Sequence, residues 1–434
     1  MKNITTLAIL AAVACVHATP AISNFSWTQD PATRKVTVTY DLSETAIVTM
    51  DVCTNGNVSI GGEHIVSLAG DVNREIQAGE GHRIIWVADK DWPGHNVGAG
   101  ALAITLRTWT TAVPPDYLVV DLRMTNTATC STRWYYADAA AIPGGVTNDV
   151  YKTKMLVMRR IPAAGVTWLM GSPSTETGHG SNNEPEHYVA FDADYYMGIY
   201  PVTMGQYRQL CGSTPARAME GFDMGIVTNA DAHPVGGISY DYYGSDPSYS
   251  YLMRNSAWPG DTAWNLNNFK LGGIISRLYG ISGIPFNLPT EARWEYACRA
   301  GSNAAFNNGK GNTVTKDKTR CPNLDEVGWY DANTATTQPV GLKLANAWGL
   351  YDMHGNIWEW CLDWYGAISE TESSDPVLNP SGAASNSDKK RVRRGGGYSS
   401  GAQYCRSASR GNAVATGNYV NHGFRLCCPM PANW

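Results

Sequence analysis

Asn346-Ala347-Trp348-Gly349-Leu350-Tyr351-Asp352-Met353-His354-Gly355-Asn356-Ile357-Trp358-Glu359-Trp360 decides how the C-terminal part of this 434-residue chain is read. Gly355-Asn356 is a turn pair, with Asp352 and Glu359 on either side of it and aromatic residues on both flanks. Two carboxylates so placed, with the backbone carbonyls of Gly355 and Ile357, form a set of hard oxygen donors of the kind calcium takes. The plainer reading makes Asp352 and Glu359 ordinary solvated or hydrogen-bonded carboxylates. The stretch alone leaves both open.

Around it, regular structure is sparse. Thr203 is placed to cap a helix, with Gln206 reaching back from three residues on and Tyr207, Leu210 and Cys211 sharing a face. A second helix is expected near Asn268, carrying Leu271, Ile274, Ile275 and Leu278. A third follows Thr290 and ends at Gly301, with Trp294, Ala297 and Cys298 inward. The rest of residues 153–430 reads as loop, Gly and Trp, a length of irregular chain that needs stapling or bound ions.

Residues 19–122 read differently. Val36, Val38 and Tyr40 alternate with Thr37 and Thr39, Val48, Met50 and Val52 alternate with Thr49 and Asp51, and Leu102, Ile104 and Leu106 close the series. Turn signals at Asn55-Gly56, Gly61-Gly62, Gly79 to Gly81 and Pro93-Gly94 separate these strands, which predicts an all-β sandwich. Residues 123–152, with Pro143-Gly144-Gly145, are expected to be a linker. Gly98-Ala99-Gly100 followed by Ala103 fits a dinucleotide fingerprint only formally, because a strand and not a helix comes next.

Charged residues are 16% of the chain, against an average of about 25%, while 44 Gly, 15 Trp and 23 Tyr are generous. That is a globular, turn-rich profile. A net charge of -5 with no basic block argues against nucleic acid as a partner. Lys2, the apolar run Leu7 to Val16 and the small residues around Ala18 read as a signal peptide over 1–18, and no later stretch is long and apolar enough to cross a membrane. The expected location is secreted, periplasmic or cell-surface, with a lipid anchor at Cys15 as the alternative. Ten cysteines less Cys15 leave nine, so one thiol stays free or pairs between chains, and the vicinal Cys427 and Cys428 compete for that role.

Four stretches, read in order, resemble the formylglycine-generating enzyme or sulfatase-modifying factor family. They are Met197-Gly198-Ile199-Tyr200-Pro201-Val202-Thr203 leading to Tyr207; Leu288-Pro289-Thr290-Glu291-Ala292-Arg293-Trp294-Glu295-Tyr296-Ala297; the run from Asn346 to Trp360; and Arg391-Val392-Arg393-Arg394-Gly395-Gly396-Gly397-Tyr398 with Cys405 to Arg410 and Gly423-Phe424-Arg425-Leu426. The resemblance implies an α+β fold: a C-type-lectin-related domain low in regular structure, here preceded by the sandwich. It also implies an oxidase that converts a sulfatase cysteine to formylglycine with molecular oxygen and copper(I) on two thiolates, soft ligands that select that ion. The family's two cysteines lie five apart after the Arg-Gly-Gly run. The same count here puts Ser400 first and Cys405 second. A serine hydroxyl is a hard, neutral donor, so copper is not expected.

Cys405 is then either a residual catalytic residue or a structural one. Secreted family members can tie the helix after Leu-Pro-Thr-Glu to the strand near Cys405, which implies a Cys298–Cys405 disulfide. The family's structural calcium maps onto Asp352, Gly355, Ile357 and Glu359, and Asn323 is the one candidate for a second site. Arg391, Arg393, Arg394, Arg406, Arg410 and Arg425 either pair internally with Glu291, Glu295, Asp352 or Glu359 or bind an anionic ligand. Arg293 stands where the family usually has Glu, which forfeits the reciprocal cap and leaves that helix to be held by packing. His179, His187, His233, His354 and His422 are scattered singly, with no H-E-x-x-H, G-x-S-x-G or phosphate loop. The expected function is a secreted member without the copper pair that binds a protein, peptide or glycan through Ser399 to Asn421. The alternative is an active oxidase or related sulfur-chemistry enzyme.

Overall fold

The Val/Thr alternation builds strands with one buried face: β1 (Ile22–Gln29), β2 (Lys35–Leu42), β3 (Ala46–Thr54), β4 (Val58–Ser59), β5 (Leu68–Gly70), β6 (Glu75–Ile76), β7 (Gly79–Val87) and β8 (Leu102–Trp109). In this computed structural model they form two sheets, β1-β2-β7-β5 and β4-β3-β6 with β8 on β3. Val36, Val38, Val48, Val52, Ile84 and Trp86 share the core between them. The structure describes residues 19–54, 58–60, 65, 67–93, 102–111, 113–123, 132–180, 183–212, 230–241, 273–368 and 375–431. The expected signal peptide with Cys15, the turn pairs Asn55-Gly56 and Gly61-Gly62, the Gly98-Ala99-Gly100 run, Cys130 and the Asn268 to Leu271 helix start lie outside the described residues.

The sheet of the second region takes in strands from before residue 153. β9 (Tyr117–Asp121), β10 (Arg133–Tyr136), β11 (Met155–Ile161), β12 (Val166–Met170), β13 (His187–Phe191) and β14 (Tyr195–Gly198) are followed at the far end of the chain by a strand over Cys427–Pro429. That last strand joins β14, in the order β10, β9, β11, β14 and Cys427–Pro429. Residues 117–121, expected in the sandwich, and 133–136, expected in the linker, are therefore strands of the second region's sheet. The reason is visible in β9, which is buried at every position and so reads as a central strand rather than as an alternating one. A short helix, α1 (Asp149–Thr153), capped by Asn148, also occupies the expected linker.

α2 (Met204–Cys211) has the expected capping box: Thr203 Oγ1 accepts from the Gln206 N–H at 3.2 Å, and Gln206 Oε1 accepts from the Thr203 N–H at 3.1 Å. α3 (Ile274–Ser282) buries Ile274, Ile275 and Leu278. α4 (Glu291–Arg299) has Thr290 as its N-cap, at 3.3 Å from the Arg293 N–H, without a reciprocal side-chain cap from Arg293. The Arg293 guanidinium instead lies 5.7 and 5.9 Å from the rings of Phe191 and Tyr195.

Two further sheets carry the site. β15 (Gly328–Trp329) runs parallel to β16 (His354–Gly355). Gly355 has φ +83°, and a Cβ there would lie 2.0 Å from the Trp329 carbonyl oxygen, so only glycine allows this crossing. β17 (Trp358–Trp364), β18 (Val377–Leu378), β19 (Lys390–Arg394), β20 (Gly411–Val414) and β21 (His422–Gly423) complete the chain's strands before Cys427. Four of them form a sheet in the order β20-β19-β17-β21, while β18 pairs with β13. Across it Glu359 stands opposite Arg394, and Trp360 opposite Arg393. No helix among the described residues is long and apolar enough to cross a membrane.

Candidate functional site

The Asp352 to Glu359 bend is knit into the core. Glu359 accepts from Arg425 Nη2 at 2.9 Å and Nε at 3.1 Å, and from the Trp294 indole N–H at 2.7 Å. Asp352 accepts from the Gly341 N–H at 2.7 Å and the Asn356 amide at 3.2 Å, and the Gly355 carbonyl accepts from the Ile357 N–H at 2.8 Å. Burial pushes the Asp352 carboxyl up to about 6. Asp352, Gly355, Ile357 and Glu359 do not fit a calcium ion as one ligand set, because Glu359 already carries a guanidinium as its cation. Asn323 does not gather carboxylates either: its amide donates to the Gly311 carbonyl at 2.9 Å.

Three more of these arginines are fasteners. Arg394 pairs with Glu295 and lies 3.5 Å from Glu291, Arg410 grips Glu291 at 2.6 and 2.8 Å, and Arg406 pairs with Glu176 and Glu184. Glu176 and Glu184, more than two hundred residues from Arg406, carried no local signal of that role in the sequence. Arg391 lies 3.4 Å from the Trp364 ring centroid.

Ser400 and Cys405 do not form a two-ligand site. The Ser400 hydroxyl accepts from the Gly397 N–H at 3.1 Å. Cys405 is fully buried with Cys321, Phe306 and Tyr330, and a Cβ on Gly396 would fall 2.5 Å from its sulfur. Burial pushes this thiol far up, away from the thiolate form that metal binding and catalysis need. The residues present therefore do not fit copper(I).

The expected Cys298–Cys405 bridge is corrected as well: both are free thiols. Cys298 belongs to the main core, where its sulfur lies 3.7 Å from Ser407 Oγ and 3.8 Å from His354 Nε2. His354 stands between the two, its Nδ1–H donating to the Cys405 carbonyl at 2.7 Å and its Nε2 accepting from the Asn307 N–H at 3.0 Å. Burial lowers its pKa to about 4, which keeps the ring neutral, and raises that of Cys298 to about 12.

A cavity of about 450 Å³ opens beside α4, lined by His187, Glu291, Asp363, Trp364, Leu378 and Arg410. Asp363 accepts from the Glu291 N–H at 2.7 Å, and burial with the nearby Glu291 charge pushes its carboxyl above the ordinary range. Asp363 was not singled out in the sequence, although an acid inside the Trp-rich strand Cys361-Leu362-Asp363-Trp364 was the available signal.

These features define a sheet-rich, helix-poor frame, fastened by buried arginine–carboxylate pairs and following an all-β region. Residues 154–429 match the sulfatase-modifying factor enzyme 1-like domain, and the chain belongs to that family. It is 35% identical over 312 residues to the formylglycine-generating enzyme of Bos taurus, covering 66% of this chain and 76% of that one. To the Mus musculus enzyme of the same name it is 36% identical over 147 residues, or 32% of this chain and 38% of that one. A Paenibacillus barcinonensis protein named chaperone protein LppX is 27% identical over 254 residues, covering 54% and 80%. Among solved structures, Treponema denticola variable protein 1 covers 63% of this chain and 95% of its own at 24% identity, with a TM-score of 0.45.

Proposed function

We propose that this chain is an exported, ligand-binding member of the family that does not carry the copper oxidase chemistry, on a C-type-lectin-related α+β frame. The observation that carries this reading is the state of the two sulfur positions. Ser400 offers a hydroxyl already engaged by the Gly397 N–H, and the one thiol, Cys405, is sealed under Gly396. Neither supplies a reachable thiolate. The apolar run from Leu7 to Val16 supports export. The segment from Ser399 to Asn421, rich in Ser, Gly, Ala, Asn and Tyr, supports recognition of a peptide or glycan.

The test is a copper(I) titration of the purified full chain, run beside an oxidation assay on a Cys-x-Pro-x-Arg peptide. The expected outcome is no stoichiometric tight copper and no loss of the peptide thiol. Tight one-to-one copper, or turnover of the peptide, would overturn the proposal in favour of an active oxidase.

A further inference from the structure

Arg394, Arg406, Arg410 and Arg425 each hold a carboxylate, but Arg393 pairs with none among the described residues. The register puts it on the opposite face of β19 from Arg394, across from Trp360 on one side and Gly411 on the other. Its guanidinium carbon lies 4.3 Å from the Trp358 ring centroid, and Nη1 donates to His422 Nε2 at 2.6 Å. A Cβ on Gly411 would fall 2.9 Å from Arg393 Cγ and Nε and from the Trp358 ring, so a bare glycine leaves the slot in which the guanidinium lies flat.

Arg393 Nε lacks a partner here, and so does Nδ1 on the far side of the His422 ring. His422 is only 1% exposed, and burial beside Arg393 holds it neutral. Burial lowers the Arg393 pKa to about 10, and the Tyr419 hydroxyl is what pulls it back up. A half-buried guanidinium without a counter-charge among the described residues costs stability, whereas its neighbour Arg394 is neutralised by Glu295.

We propose that Arg393, held flat between Trp358 and Gly411 and braced by His422, anchors a subsite for the carboxylate of an acidic sugar. A carboxylate meets the guanidinium end-on through Nη1 and Nη2. Tyr419, 37% exposed, offers a ring face beside it, 4.6 Å from His422 between centroids. Exposed Ser399 and the Asn421 amide, which donates to Ser399 Oγ at 3.4 Å, supply adaptable partners for hydroxyl groups. That polar rim favours a saccharide over an acidic side chain of a peptide. The inference does not depend on the loss of oxidase chemistry, since the copper titration and this binding test read different residues.

The test titrates the full chain, at low salt, with sodium glucuronate, with glucose and with N-acetylglutamate amide, read by saturation-transfer NMR. Glucuronate is expected to bind, and glucose to bind at least about tenfold more weakly, the share of one charge-assisted hydrogen bond. Arg393→Gln and Arg393→Lys should lose most of that difference. Arg393→Leu without ligand should melt no lower than wild type, because a desolvated charge is removed. Equal binding of glucuronate and glucose, no binding of either, tighter binding of N-acetylglutamate amide, or full retention in Arg393→Gln would each overturn the assignment.

Discussion

Glu359→Gln separates a counter-charge from a cation ligand. Glu359 is 1% exposed and Arg425 fully buried, and the pair is joined by contacts at 2.9 and 3.1 Å, with the Trp294 indole N–H on the same carboxylate. Gln preserves the shape but removes the charge and turns an amide NH2 toward one of those donors. Removing one partner of a buried ion pair costs about 3–5 kcal/mol. Arg425 keeps its bonds to the Gly198 and Tyr351 carbonyls, which places the loss near the lower end, at about 3 kcal/mol. For a region of this size that corresponds to a fall in Tm of roughly 6–12 °C. The assay is thermal unfolding near neutral pH, followed by tryptophan fluorescence and calorimetry, in EGTA and in calcium. The expected drop is the same in both, and Glu359→Gln combined with Arg425→Leu should lose less than the two single changes summed. A wild-type Tm that falls in EGTA and returns with calcium, together with a Glu359→Gln variant blind to both, would refute the ion-pair assignment.

Iodoacetamide on the native protein should label the partly exposed Cys53 and Cys211 and spare Cys298, Cys361, Cys405, Cys427 and Cys428 until the chain unfolds, because burial both covers these thiols and raises their pKa; peptide mapping that recovers Cys298 linked to Cys405 would contradict the structure. Asp363 should make stability pH-dependent. Its folded pKa lies above its ordinary 3.8, so its contribution is present at low pH and is lost as pH rises through the folded value. Asp363→Asn, which keeps an acceptor for the Glu291 N–H, should therefore melt above wild type at alkaline pH, with the advantage shrinking toward pH 3.8. A constant difference across that range would show that Asp363 is not the titrating group.

The parts legible in the sequence were those with local causes. Thr203 and Gln206 sit three residues apart, so their capping box was readable, and so was the alternation through Val36, Val38 and Tyr40. That β9 and β10 pair into the sheet of β11 was not readable, because β9 is covered on both sides and such a strand has no alternation to read. The same limit applies at the site. The sequence offered Glu359 as one of several partners for these arginines, but nothing near it reveals that Arg425 and Trp294, 66 and 65 residues away, are the ones that meet it. Burial likewise decided the two cysteines, since Cys298 and Cys405 are adjacent to the same histidine yet belong to different clusters.

A region with few helices and short strands has little backbone hydrogen-bond cooperativity with which to fix its loops. Here the loops are fixed by guanidinium groups that reach several backbone carbonyls and a carboxylate at once: Arg425 ties Gly198, Tyr351 and Glu359, and Arg410 ties Asn183, Gly366 and Glu291. Each such residue is multiply bonded, so the desolvation of its charge is offset by bonds that no hydrophobic replacement provides for those carbonyls. Arg393 departs from that pattern in its partners, with a histidine and an indole ring where the others have a carboxylate. Kept flat by Trp358 and a glycine at 411 and holding His422 rather than an acid, it is the residue we place at the ligand subsite. On that proposal Arg394 and Arg393, adjacent on β19, are told apart by their partners, a carboxylate for one and His422 with Trp358 for the other.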